Sequence, residues 1–322
     1  MCTDGNRPQC LVQLASEKEV EVVRPGSSSG VRERYLFAGV LPSLARQPRV
    51  FEACALPVVR DLFQGFNTLL FSYGVSNSGK THTVQGSGDS PGMLPRSVLA
   101  IAQEVAGGTG EWAYQLYVSY FEVYNEMEDA PDLVNMSAAQ IAALPRAALL
   151  LRSEGGRGNE AFVEGATEVR VRGARDLVRV LVHGQLRRAV HATGLNAGSS
   201  RSHAVFQAKL VKIRRAATVD PLDGVSASAR ASVRTMTVVD LAGSERAKRT
   251  HTQGERLAEA GKINVGLMTL KKCLDVKRFN AGLPDGDPGV QLVPYNESKV
   301  TRLFQPALEG GARTCMVVCV DP

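Results

Sequence analysis

Thr68-Leu69-Leu70-Phe71-Ser72-Tyr73 runs directly into Gly74-Val75-Ser76-Asn77-Ser78-Gly79-Lys80-Thr81. The first six residues have the composition of a buried strand. The next eight fit G-x-x-x-x-G-K-[ST], in which glycines let the backbone curl so that successive N–H groups converge on phosphate oxygens. A helix starting where the loop ends adds its positive terminus. In this pattern Lys80 reaches the β- and γ-phosphates of a nucleoside triphosphate, and the Thr81 hydroxyl takes a position on magnesium. A glycine-rich turn with an incidental lysine is the plain alternative. The strand in front of the loop is the context the motif requires, and it weighs against that alternative.

A phosphate loop of this kind also needs an acid at the end of a neighbouring strand to hold magnesium. Val238-Val239-Asp240 supplies one, followed by Leu241-Ala242-Gly243-Ser244-Glu245. Gly243 has no side chain to screen its N–H from a γ-phosphate, so this segment can sense whether that phosphate is present. Taken alone, an Asp after a strand is a turn or a cap. A third polar cluster, Asn196-Ala197-Gly198-Ser199-Ser200-Arg201-Ser202-His203, opens another strand. Its hydroxyls beside an arginine suit phosphate or water contacts, and a serine-rich capped turn is the other reading.

Elsewhere, short apolar runs alternate with helical periodicities. That pattern predicts an α/β fold: a central mixed, largely parallel sheet with helices on both faces. Strands are predicted at Leu11–Leu14, Glu19–Val23, Leu116–Tyr124, Thr167–Val171, His203–Ile213, Arg234–Val239 and Thr314–Val320. Phe51, Cys54, Val58 and Leu62 recur at helical spacing, with Gly65 placed to close the helix and Pro57 to bend it or mark a boundary. Helices are also predicted at Asp176–Val190 and Gly254–Val276, the latter with Leu257, Ala260, Leu267, Leu270 and Leu274 on its apolar side. Asn296 or Ser298 caps a further helix that ends before Gly310 and Gly311. Residues 127–158, alanine-rich and then glycine-rich, read as a variable insertion. One domain over residues 1–322 is favoured, since no internal repeat or long linker interrupts the pattern.

At 44% hydrophobic and 22% charged over 322 residues, the composition is globular. No apolar run approaches the roughly 20 residues needed to span a bilayer, and residues 1–8 lack the apolar core of a signal peptide. No membrane association and a cytosolic (cytoplasmic) or nuclear location are therefore expected. The six cysteines form no C-x-x-C pair. Cys315 and Cys319 fall on one face of a predicted strand, which reads as core packing. Net charge is +6, and between Glu245 and Arg302 eleven Lys or Arg face seven Asp or Glu. From charge alone, that stretch is equally a solvated helix face or a surface for an acidic partner.

The three motifs G-x-x-x-x-G-K-T-H-T, N-x-x-S-S-R-S-H and D-L-A-G-S-E, in this order, resemble the phosphate loop and the two switches of the kinesin motor domain. Supporting segments are Gly92-Met93-Leu94-Pro95-Arg96, Glu122-Val123-Tyr124-Asn125-Glu126, Val293-Pro294-Tyr295 and Ser298-Lys299-Val300-Thr301-Arg302-Leu303. Within the family, Tyr73–Gly79, Leu267–Leu270 and Met316–Val320 are most similar to the mitotic kinesin-like branch of the central spindle. The resemblance implies a microtubule-stimulated ATPase with ATP and Mg2+. It implies that residues 74–82 hold the nucleotide with His82 packed on adenine, and that Thr81, Ser200 and Asp240 serve magnesium. Ser199 and Ser200 then close over the γ-phosphate, and Arg201 pairs with Glu245 around the attacking water beside Gly243. It turns the basic stretch into a microtubule face comprising Lys248, Arg249, Lys271, Lys272, Lys277, Arg278, Lys299 and Arg302. The implied partner is tubulin rather than nucleic acid, on the cytoskeleton and on spindle or midzone microtubules. No heptad run is present, so this piece is expected to be monomeric, within a full-length protein open to dimerisation.

Departures from the family qualify the mechanical reading more than the catalytic one. The chain is expected to lack the family's first strand, whose R-x-R-P end grips adenine; Arg7-Pro8 is either its remnant or a coincidence. It is expected to stop at Asp321-Pro322 before the last helix and the neck. Gly266 stands where a serine is usual, Asn296 where an arginine is usual, and Pro306 interrupts the helix after Gln305. The rival reading is a nucleotide-regulated microtubule-binding module without productive motility.

Overall fold

The computed structural model describes residues 11–23, 32–107, 112–123, 127–129, 148–153, 161–193, 202–214, 231–244, 255–284 and 286–320. A small antiparallel sheet comes first, made of β1 (Leu11–Leu14), β2 (Glu19–Val23) and β3 (Arg32–Leu36). Helix α1 (Gln47–Val50) then passes through a π turn at Phe51–Ala55 into α2 (Leu56–Phe63). The reason is Pro57. It has no N–H to return to the carbonyl four residues back, so the preceding turn widens, and Leu56 N donates to Phe51 O instead. Gly65, at φ 98°, closes α2, with Phe66 N reaching back to Asp61 O at 3.0 Å. The predicted bend thus takes the form of a widened turn within a continuous helical path.

β4 (Thr68–Tyr73) follows, then the loop, then α3 (Lys80–Val84). β5 (Gly86–Ser87) and β6 (Ser90–Pro91) form a short hairpin leading to α4 (Met93–Gly107), an element not anticipated from the sequence. The chain continues through β7 (Trp112–Val123), β8 (Met127–Asp129), β9 (Ala148–Ser153), β10 (Ala161–Glu164) and β11 (Val169–Val171). The remaining elements are α5 (Ala174–Thr193), β12 (His203–Arg214), β13 (Ala231–Asp240), α6 (Glu255–Asn280), α7 (Lys299–Glu309) and β14 (Arg313–Val318).

The central sheet has strand order β10-β9-β8-β7-β12-β13-β4-β14, with β11 also on β7. It is mixed, as predicted, but its parallel share is smaller. β4 is parallel to both β13 and β14, while β7, β12, β8, β9, β10 and β11 pair antiparallel. A parallel return needs a crossover of about a dozen residues or more. The connections 124–126 and 154–160 are too short for one, so direct antiparallel pairing is the available route. Part of the stretch read as an insertion, Met127–Asp129 and Ala148–Ser153, thereby joins the main sheet.

Strand alternation splits the core in two. Leu70, Leu116, Val118, Phe206, Leu210 and Val238 point to the face covered by α2, α4 and α5. Leu69, Phe71, Phe121, Val205 and Val239 point to the face covered by α6 and α7 through Leu267, Leu270, Val300, Leu303 and Phe304. The Phe71 and Phe304 rings pack at a tilt of 49° with centroids 5.1 Å apart. Of the predicted α6 stripe, Leu274 lies at the edge of this cluster, and the side chains of Leu257 and Ala260 are outside the described residues. Ser298, not Asn296, caps α7, its Oγ accepting from Thr301 N at 3.1 Å. The expected interruption at Pro306 does not occur: α7 runs through it to Glu309. Proline costs such a helix one backbone donor near its end without forcing a stop. Cys315 packs with Val317 against the first core cluster, and Cys319 lies just past β14. Among the described residues, no helix is long and apolar enough to cross a membrane.

Two helical glycines have opposite surroundings. A Cβ on Gly184 in α5 would lie 2.5 Å from the Tyr120 ring, whereas one on Gly266 in α6 meets nothing nearer than Ser298 Oγ at 3.8 Å. Gly184→Ala should therefore cost about 1–3 kcal/mol through overpacking. Gly266→Ala should gain about 0.5–1 kcal/mol from helix propensity. Urea midpoints of the two variants check this, and equal signs would contradict the packing described.

Candidate active site

Three chain segments leave the sheet at the same end because of register. In the parallel β13–β4 pair Asp240 lies opposite Ser72, so β13 finishes where β4 gives way to the glycine loop. In the antiparallel β12–β13 pair Ala204 lies opposite Asp240, so β12 begins at that same end, just after the third polar cluster. The glycine loop, Asp240 and the start of β12, separate in sequence, therefore converge.

The loop's conformation explains its residues. Gly74 (φ 155°), Asn77 (φ 63°) and Gly79 (φ 89°) all take positive φ. A Cβ on Gly74 would fall 2.3 Å from Cys319 O, so only glycine permits the loop to pass the end of β14 so closely. Ser78 Oγ and Lys80 Nζ donate to Val75 O at 2.8 and 2.6 Å, and α3 starts at Lys80. Val75 is 42% exposed while Lys80 is buried, which keeps the ammonium inside the curl of the loop.

Asp240 is the hub. It is 2% exposed and accepts from Thr81 Oγ1 at 2.9 Å, Gln85 Nε2 at 3.3 Å and Ser72 Oγ at 3.5 Å. A buried carboxylate is tolerated when donors surround it. A carboxylate beside the hydroxyl that follows the loop lysine is a set of hard oxygen donors, so the residues present would fit a magnesium ion. Ser244 N donates to Gly74 O at 3.1 Å, tying the segment after Asp240 to the start of the loop. Gly243 is buried between these contacts. Beside them sits Cys319, whose thiol burial pushes up, with the Thr83 hydroxyl at 3.6 Å pulling the other way.

The third cluster is described from Ser202 onward. Ser202 Oγ donates to Glu122 Oε1 at 2.8 Å, and His203 Nδ1 accepts from Ala242 N at 3.1 Å. That second bond joins the two segments expected to act as switches and puts the His203 proton on Nε2. Ser199, Ser200, Arg201 and Glu245 lie outside the described residues, as do Lys248 and Arg249. Ser72, Gln85, Glu122 and Gln47, which bonds His82, were not singled out as site residues. Glu122 falls in a quoted family segment that assigned it no role, and each of the four is defined by a partner 35 or more positions away.

The remaining basic candidates line α6 and α7. Lys271 pairs with Asp275 at 3.3 Å and Lys272 with Glu297 at 2.8 Å, all largely exposed. Exposed pairs of this kind contribute about 0–1 kcal/mol and part readily for another anion. Lys277 and Arg278 occupy the last turn of α6, and Lys299 opens α7 with Arg302 one turn on.

Replacing His203 with alanine would leave the Ala242 N–H buried without its acceptor. A loss of about 1–3 kcal/mol is expected, read as a lower urea midpoint; an unchanged midpoint would show that this bond carries no weight.

The family model for the kinesin motor domain matches residues 3–322. Kinesin-like protein 5 of Schizosaccharomyces pombe is 34% identical over 290 residues, covering 90% of this chain and 30% of that protein. KIF23 of Mus musculus is 31% identical over 385 residues, covering 98% of this chain and 39% of that protein. The chain thus spans less than half the length of these relatives. Among solved structures, the KIF14 dimer in its two-heads-bound state with AMP-PNP in complex with a microtubule superposes with a TM-score of 0.79 at 29% identity, over 98% of this chain and 83% of that one. A structure described as kinesin 6 gives 0.77 at 29% identity, over 100% and 92%. A match running almost from end to end agrees with the order of the three motifs and with the way the sheet gathers them, and the chain belongs to the kinesin motor domain family.

Proposed function

We propose that this chain hydrolyses ATP at the loop 74–81 and couples the state of that site to a basic microtubule-binding face on α6 and α7. The observation that carries the reading is the register that brings Ser72, Asp240 and Ala204 abreast, because the glycine loop, the acid at the end of β13 and the start of β12 then share one sheet end. The microtubule complexes of KIF14 with AMP-PNP and with ADP support the same reading by likeness.

In this account the N–H groups of residues 74–80 and the Lys80 ammonium cradle the β- and γ-phosphates, and His82 lies toward the base. Thr81, Ser200 and Asp240 would hold magnesium, which neutralises charge developing on the phosphates. Ser199 and Ser200 close the site from one side. Gly243 contacts the γ-phosphate from the other, and Arg201 with Glu245 orients the attacking water. Positioning and charge compensation are sufficient here, so neither Arg201 nor Glu245 need be a strong base. Release of the γ-phosphate loosens the 241–244 segment from Gly74. Because Leu241 of that segment packs in the same cluster as the α6 and α7 side chains, the change reaches the basic face in this account. Lys248, Arg249, Lys271, Lys272, Lys277, Arg278, Lys299 and Arg302 meet the acidic tubulin surface. The setting is the cytoskeleton, with spindle or midzone microtubules implied by the resemblance of Tyr73–Gly79, Leu267–Leu270 and Met316–Val320 to the central-spindle branch.

Turnover of ATP by the chain, with and without microtubules, tests this. Stimulation by microtubules is expected, with Lys80→Ala reduced to background. Nucleotide-dependent microtubule binding without turnover would replace the motor reading by that of a regulated binding module. Separately, Lys299→Glu with Arg302→Glu should weaken co-sedimentation with microtubules by about tenfold at low salt, and less at high salt. Unchanged co-sedimentation would move the microtubule face elsewhere.

A further inference from the structure

We infer that Gln47 is a positioning residue that fixes His82 as the platform for the base of the bound nucleotide. The inference rests on the nucleotide reading above and goes beyond it by naming a determinant outside the three motifs. Gln47 opens α1 and is 5% exposed. Its Nε2 donates to His82 O at 2.7 Å and lies 3.2 Å from His82 Nδ1. Donation into Nδ1 selects the tautomer with its proton on Nε2 and sets the plane of the ring.

The local chemistry makes this contact consequential. α3 has five residues, so most of its carbonyls find no helical partner downstream. Gly79 O accepts from Thr83 N at 2.8 Å and Thr81 O from Gln85 N at 2.7 Å, while the His82 carbonyl is taken by the Gln47 side chain. The His82 backbone and ring are thus held by one amide from an element 35 positions away. That amide is anchored in turn: Val50 and Phe51, just beyond it, pack against the first core cluster. His82 itself is exposed, so its ring is free to receive a planar group from solvent while its orientation is set from the protein side.

A purely stabilising role explains Gln47 poorly. Its Oε1 is buried without a hydrogen-bond partner, a cost that an apolar residue of the same size would avoid. What the glutamine adds over such a residue is the donated bond to His82.

The test compares binding of ATP and of tripolyphosphate, which has the charge of the phosphate chain and no base, by the full chain and by Gln47→Leu and His82→Ala. Gln47→Leu should weaken ATP by about three- to tenfold, the scale of one oriented stacking contact, and leave tripolyphosphate within about twofold. In the His82→Ala background, Gln47→Leu should produce no further loss specific to ATP, because the ring that Gln47 orients is already gone. If ATP and tripolyphosphate weaken together, Gln47 is only a helix cap and the inference is overturned. If the unaltered chain binds ATP and Gln47→Leu keeps the same preference over tripolyphosphate, it is overturned alone. If the unaltered chain binds neither ligand, the nucleotide reading falls and takes this inference with it.

Discussion

Parallel pairing on both sides of β4 is the constraint from which the rest follows. The strand is buried on both faces and hydrogen-bonded on both edges, so an unpaired polar side chain in it costs stability, as at Thr68, whose hydroxyl is buried without a partner. Ser72 is paired: its hydroxyl meets Asp240 across the β13 register. Because β4 cannot shift relative to β13 without exposing Leu69, Leu70 or Phe71, the loop that leaves it is held in place relative to Asp240. Phosphate loop and acid are thus positioned by the core, not by their own contacts, and the 2.9 Å bond from Thr81 is a consequence.

The second arrangement depends on the antiparallel neighbour. β12 enters the sheet beside Asp240 with His203 at its first position, and His203 accepts from Ala242 across the gap. Motion in either segment is therefore felt by the other through a buried bond, the physical requirement for two elements to respond together to one ligand. The basic helices lie on the opposite face of the same sheet from α4 and α5, sharing Leu267, Leu270, Val300 and Phe304 with the strands beneath. Leu241, in the segment after Asp240, packs in that same cluster.

The small departures from the family pattern have local explanations. Gly266 leaves room in α6 where a side chain would fit, with Ser298 as its nearest neighbour. Pro306 sits near the end of α7, where one lost backbone donor is tolerated. Ion pairing of Lys271 and Lys272 with Asp275 and Glu297 means that a partner must compete with existing contacts. That tempers the net charge read from this stretch of the chain.

By itself, the sequence was enough for the loop, the acid at the end of β13, most strand and helix positions and the family. Those signals are local: glycines that need positive φ, a lysine and a threonine at set spacing, apolar periodicity. Four features were settled only in three dimensions. Pairing direction was not legible in composition: β8 with β9 and β12 with β13 pair antiparallel although the connections 130–147 and 215–230 are long enough for a crossover. α4, whose residues read as nothing decisive in isolation, became a helix against the core that Val98 and Ile101 fill. Continuity through Pro57 and Pro306 was decided by packing on both sides of each proline. Gln47, Gln85 and Glu122 acquired roles because a side chain becomes a site residue through its distance to another, and that distance is created by the folded sheet.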